Sequence, residues 1–191
     1  MAHRAKSNRP KDCPYIGKGG LKLFFAIENF NIDVKEKVAI DFGSHQGGFV
    51  DCLLKNGASK VYAVDTCYGT LDWKLRNDKR VVVCERMNAM HWKASELVDV
   101  ITIDVGWTKQ QYIIPSAIKS IKHDGIILSL LKPQYEVETK MKLSEDEVKI
   151  VIEKKLNWFK TMFNEVNYII SPYKGSGGNV EAWFYLKQLI T

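Results

Sequence analysis

The 191-residue sequence predicts an α/β fold: a mostly parallel, seven-stranded sheet with helices on both faces and an antiparallel hairpin at the C-terminal end. Three observations predict it. Short runs rich in Val, Ile and Leu alternate with stretches of helical periodicity, the pattern of parallel strands buried on both sides. A glycine-rich segment, Gly43-Ser44-His45-Gln46-Gly47-Gly48, separates the first such strand from the helix behind it. A second glycine cluster, Lys174-Gly175-Ser176-Gly177-Gly178, lies between the last two strand-like runs and signals a hairpin.

Each element follows from local pattern. Lys22 falls in a helical region ahead of the sheet. Val38 to Phe42 reads as a short buried strand, and Phe49 to Leu54 as a helix that stops at Asn56-Gly57. Val61 to Asp65 is the second strand, followed by a short helical stretch from Leu71 to Leu75; Arg80 to Val83 is the third. The fourth strand, Val98 to Asp104, precedes a helix near Tyr112 to Ile121, and the fifth runs from Gly125 to Leu131. Ser144 and Glu147 have the spacing of a capping box, opening a helix in which Val148, Val151, Ile152, Lys155 and Phe159 recur on one face. Glu165 to Ile170 and Val180 to Leu189 make the hairpin, so the last strand runs against the others.

Composition bounds the function. With 46% hydrophobic and 26% charged residues the chain is of ordinary globular type, long enough for one domain with its own core. Cys13, Cys52, Cys67 and Cys84 form no CxxC pair and have no histidine at metal-ligand spacing, and no secretory segment is present. Reduced thiols, a cytoplasmic location and no metal are expected. No apolar run approaches the ~20 residues needed to cross a bilayer, so no membrane partner is expected. The net charge of +6 favours an anionic partner. Arg4, Lys6, Arg9, Lys11, Lys18 and Lys22 face the single acid Asp12 in this first stretch. Residues 1–14 are therefore read as a basic arm and 15–191 as a single domain. The arm is either a solvated tail or a grip for phosphates, and the two are compatible.

In an open α/β sheet the ligand lies beyond the carboxyl ends of the strands, near the point where strand order reverses. The turn Asp41-Phe42-Gly43-Ser44-His45-Gln46-Gly47-Gly48-Phe49 is placed to cradle it, with a helix N-terminus offering amides to an anion. Asp65 closes the second strand about 20 residues on, where an acid can bond both hydroxyls of a ribose. The spacing G-x-x-x-G-G with Asp41 ahead of it suits S-adenosylmethionine, whose ammonium needs an acidic neighbour, better than a dinucleotide. Asn88, after the third strand, is placed to reach an adenine edge. Asp41 or Asn88 taken singly reads as a turn or cap residue; the set carries the cofactor reading.

Asp104 and Lys132 end the fourth and fifth strands, and Glu181 starts a strand that runs the other way, so all three are expected at one rim. A lysine at the mouth of an apolar strand is desolvated, which lowers its pKa, while neighbouring carboxylates oppose that shift.

The segments "KGGLKL", "DFGSHQGGFVDCLL", "VYAVDTCYGTLDWKLRND", "ITIDV", "LLKPQYE" and "KGSGGNVE" together resemble the FtsJ-like ribose methyltransferases, and most closely their hemolysin A (TlyA-type) ribosomal RNA methyltransferase branch. The likeness runs from Tyr15 to Leu186. It implies a Rossmann-like fold, S-adenosylmethionine as cofactor, RNA as partner (ribosomal RNA or a ribosomal particle), and a catalytic tetrad Lys22, Asp104, Lys132 and Glu181. Lys22 enters on the resemblance alone. The implied reaction moves a methyl from the sulfonium to a ribose 2′-hydroxyl; Lys132 steers or deprotonates the hydroxyl, Asp104 and Glu181 orient Lys132, and Lys22 restrains its pKa and helps hold RNA.

The chain departs from the branch at three places. A basic arm stands where the branch carries a small S4-like RNA-binding domain. A charged segment with Lys140, Lys142 and Lys149 follows "KPQYE" in place of a glycine-rich loop. Gly106 and Trp107 replace a serine and an aromatic; Trp107 either stacks a target base or packs as a rim aromatic. A non-catalytic RNA-binding or ribosome-assembly module keeping the fold is the alternative, with a complete tetrad against it. A pore-forming hemolysin lacks any suitable amphipathic segment, and a small-molecule enzyme lacks a lid.

Overall fold

The computed structural model describes residues 13–137 and 141–190. Most of the basic arm and Lys140 lie outside the described residues.

Seven strands form one sheet in the order β3-β2-β1-β4-β5-β7-β6: β1 (Val38–Phe42), β2 (Lys60–Asp65), β3 (Val81–Glu85), β4 (Val98–Ile103), β5 (Ile121–Leu131), β6 (Phe163–Ile170) and β7 (Ala182–Leu189). The first five are parallel, and β7 runs antiparallel between β5 and β6. The strand order reverses between β1 and β4, which places the switch point at the carboxyl end of those two strands.

Strand residues alternate between two cores. Ala39, Val61, Ala63, Val100, Leu128 and Trp183 pack on the side of α1 (Lys18–Asn29) and α2 (Gly48–Lys55). Ile40, Phe42, Ile101, Ile103, Ile127 and Phe184 pack on the side of α4 (Gln110–Ile118) and α6 (Glu145–Phe159). Fully burying side chains of this size contributes about 1.5–3 kcal/mol each, and both faces are covered, as a parallel sheet requires.

The capping box of α6 forms as expected: Glu147 Oε2 accepts the Ser144 N–H at 2.8 Å and Ser144 Oγ accepts the Glu147 N–H at 3.3 Å. Among the boundaries that differ from the sequence reading are the end of α4, at Ile118 where the sequence predicts Ile121, and the start of β5. β5 begins at Ile121, which pairs with Val98, and pairing resumes at Val100 with Ile126. The polar Lys122-His123-Asp124-Gly125 sits in that irregularity, which is why it reads as a turn after a helix. The one-turn helix α3 (Trp73–Arg76) overlaps the short helical stretch expected from Leu71 to Leu75; α5 (Pro133–Glu136) is too short for periodicity to reveal and is marked only by Pro133 at its first position.

Cys13 and Pro14, assigned to the arm by composition, are packed: Cys13 is buried in the core on the α1 side, and the Pro14 carbonyl accepts a hydrogen bond from Lys55 Nζ. No helix among the described residues is long and apolar enough to cross a membrane.

Candidate active site at the carboxyl edge of the sheet

The four parallel strands around the switch point deliver Gly43, Asp65, Asp104 and Lys132 to one edge, each at or just past its strand's end. Gly43 can be no other residue: its φ is +91°, and a Cβ there would lie 2.5 Å from the Asp104 carbonyl oxygen. Its N–H and that of Ser44 both donate to the Val64 carbonyl, at 2.9 and 3.2 Å, which closes the turn over β2. Gly47 takes a left-handed conformation at the start of α2, where no side chain caps the helix.

Two cavities flank this turn. The larger, about 500 Å³, is lined among others by His45, Asp65, Asn88, Asp104 and Lys132. Asp65 is fixed at the cavity wall: Oδ2 accepts the His45 N–H at 2.8 Å and Oδ1 the Cys67 N–H at 2.7 Å. Each oxygen keeps a lone pair for a ribose hydroxyl. Asn88 is both a turn residue and a wall of the cavity; its Oδ1 accepts the Met90 N–H at 3.0 Å, which leaves its amide nitrogen as a donor.

The smaller cavity, about 180 Å³, lies between the start of α1 and the glycine turn and is lined by Lys18, Asp41, Ser44, Gln46, Gly48 and Phe49 among others. Asp41 is buried; Oδ1 accepts the Thr102 hydroxyl at 2.8 Å, and Oδ2 has no partner. Burial pushes its carboxyl up to about 8, the Thr102 hydrogen bond opposing and Asp104 and Asp65 adding to the rise. An orphaned carboxylate oxygen in an amino-acid-sized slot, beside an uncapped helix N-terminus, fits the ammonium and carboxylate of S-adenosylmethionine. Of the residues predicted to bind cofactor, Gly47 lines neither cavity; its place is structural, since a Cβ there would meet Leu75 Cδ1 at 2.2 Å.

The four charged residues of the rim form two ion pairs. Lys132 Nζ lies 2.5 Å from Asp104 Oδ1, and Lys22 Nζ, from the second turn of α1, lies 2.5 Å from Glu181 Oε2. Lys132 and Glu181 do not touch but feel each other's charge. Burial is the largest influence on Lys132 and lowers its pKa, yet Asp104 and then Glu181 outweigh it and hold the ammonium above the ordinary lysine value. The sequence reading weighs these opposing effects; here the carboxylates prevail. Burial raises Glu181, against the pull of Lys22. The glycine-rich turn ahead of β7 stacks on this carboxylate: a Cβ on Gly175 would lie 2.3 Å from Glu181 Oε1.

Three residues here escaped the sequence reading. Tyr135 stacks on Trp107 with centroids 4.6 Å apart and planes at 28°, and its ring lies 5.7 Å from Lys132 Nζ. Trp107 is 71% exposed with φ +58°, so it stands at the rim with Tyr135 as its stacking partner. Glu136 and Lys155 form a buried ion pair behind this rim. Lys155 sits on the apolar stripe of α6, and that misplaced charge was the available signal.

Comparison with known proteins agrees with this geometry. Residues 15–188 match the FtsJ-like methyltransferase family. Hemolysin A of Brachyspira hyodysenteriae is 39% identical over 180 residues, covering 87% of this chain and 74% of its own. The 16S/23S rRNA (cytidine-2′-O)-methyltransferase TlyA of Mycobacterium tuberculosis is 33% identical, with 91% of this chain and 68% of its own covered. The crystal structure of a putative hemolysin from Lactococcus lactis superposes with a TM-score of 0.84 at 34% identity, covering 92% of this chain and 88% of that one. By matched length, by identity and by a fold that carries its cofactor cradle at the switch point, the chain belongs to the FtsJ-like methyltransferase family.

Proposed function

We propose that the chain methylates a ribose 2′-hydroxyl of RNA, ribosomal RNA being the substrate class, with Lys22, Asp104, Lys132 and Glu181 as its catalytic tetrad. One observation carries the reading: the Lys132–Asp104 ion pair lines the larger cavity, and the Lys22–Glu181 pair lies near enough for the Glu181 carboxylate to act electrostatically on Lys132. A relative named as an rRNA (cytidine-2′-O)-methyltransferase supports the substrate class, as does the +6 charge.

S-adenosylmethionine supplies a methyl already activated by the sulfonium. The protein's task is alignment and proton removal. The methyl would pass to the hydroxyl oxygen as its bond to sulfur breaks, and the hydroxyl proton would pass to Lys132. Lys132, held by Asp104, points at the cavity and orients the hydroxyl. S-adenosylmethionine bound in the cavity that Lys132 lines would add a positive charge that favours the neutral amine, and Lys132 in that form would take up the hydroxyl proton. Lys22 neutralises Glu181, which limits how far the acids raise Lys132. Trp107, already stacked on Tyr135, offers its outer face to a base of the target strand.

The test is incubation of the chain with ribosomal RNA and methyl-labelled S-adenosylmethionine, followed by nucleoside analysis. A 2′-O-methylated nucleoside is expected. A label on a base refutes the tetrad reading.

A further inference from the structure

Lys155 of α6 and Glu136 of α5 meet at 2.5 Å with side chains only 9% and 5% exposed, deeper than either rim lysine. Desolvation of a pair this deep offsets most of its attraction, and an apolar pair of similar volume would serve stability equally well. What charges add is direction. α5 is a single turn of four residues, too short to hold its shape alone. It begins directly after Lys132, whose carbonyl accepts the Tyr135 N–H at 2.9 Å.

Glu136 ties that turn to two neighbours. Oε2 pairs with Lys155, and Oε1 accepts the N–H of Gln110 at 2.7 Å. Gln110 opens α4, three residues past Trp107, and its side-chain oxygen accepts the Ser129 hydroxyl of β5 at 2.6 Å. The segment carrying Lys132 and Tyr135, and the segment carrying Trp107, are therefore clamped to one carboxylate. From this geometry we infer that Glu136 and Lys155 are positioning residues, setting the aim of Lys132 and the register of the Trp107–Tyr135 stack. The inference rests on the methyl-transfer reading above.

The test uses the double variant Glu136→Gln/Lys155→Met, in which Gln still accepts the Gln110 N–H and Met fills the lysine's volume, alongside Lys155→Met alone. In the double variant, thermal stability and S-adenosylmethionine Kd should stay near wild type, while kcat on ribosomal RNA falls about 30-fold, the scale of a sub-ångström to 1 Å misplacement. The Lys132 titration, followed by the NMR shift of its ε-carbon, should move toward the ordinary lysine value as its pairing with Asp104 loosens. A double variant with wild-type kcat and an unmoved Lys132 titration overturns the inference. So does a kcat loss matched by an equal loss of cofactor affinity or of stability, which marks a merely structural pair. If the wild-type chain yields no 2′-O-methyl product, the function reading fails on its own, and the Lys132 titration alone decides the positioning role.

Discussion

Asp41→Asn should make the protein more stable in alkali and blind to its cofactor. Burial holds the Asp41 carboxyl up at about 8, against 3.8 for an ordinary aspartate. Between those values the folded state holds a proton that the unfolded chain has lost, so stability falls as pH rises from 4 to 8 and is then flat. At 1.36 kcal/mol per pH interval the loss approaches roughly 6 kcal/mol. Asparagine keeps the Thr102 hydrogen bond but places an amide where Oδ2 has no partner, which costs about 1–3 kcal/mol. The variant should therefore gain on the order of 3 kcal/mol over wild type above pH 8. It should also bind S-adenosylmethionine about 30- to 1000-fold more weakly, since a buried charge loses its counterion. Thermal unfolding from pH 5 to 9 and calorimetry with the cofactor read both effects. Parallel unfolding curves for the two proteins across this range, or unchanged affinity, would show that Asp41 is neither strained nor in contact with the ammonium.

Lys132→Ala should abolish turnover while cofactor affinity stays within a few-fold, checked by calorimetry beside the methylation assay. Because the carboxylates hold Lys132 above the ordinary lysine value, wild-type kcat should climb with pH from neutrality through pH 10; a flat profile would limit Lys132 to a steering role. Gly175→Ala has an ordinary backbone φ of −73°, so its cost is purely the collision with Glu181, and kcat should fall at least ten-fold with only a modest change in melting temperature. Trp107→Ala should raise the KM for RNA by the ~1–3 kcal/mol of one stacked base and leave cofactor binding untouched.

The sheet was legible because its strands are continuous apolar runs and its turns carry glycine: Val38 to Phe42, Gly43 to Gly48 and the Lys174 to Gly178 hairpin fall where the pattern puts them. Asp104, Lys132 and Glu181 were legible as a group because strand direction alone brings them to one edge. Their pairing was not. That Lys22 takes Glu181 while Lys132 takes Asp104 depends on how α1 packs, which no local pattern encodes. Tyr135 and Glu136 lie on a one-turn helix without periodicity, and Lys155 is paired across elements remote in sequence. The net sign of the Lys132 shift likewise required distances.

The strand that completes the sheet's interior is the last in the chain: β7 lies between β5 and β6 and brings Glu181 opposite a lysine 159 residues earlier. Until that late segment threads between its neighbours, Lys22 lacks its counter-charge and β6 has nothing to pair with. A chain cut ahead of β7 therefore keeps Asp104 and Lys132 but lacks the carboxylate that pairs with Lys22 and the only strand that β6 pairs with among the described residues.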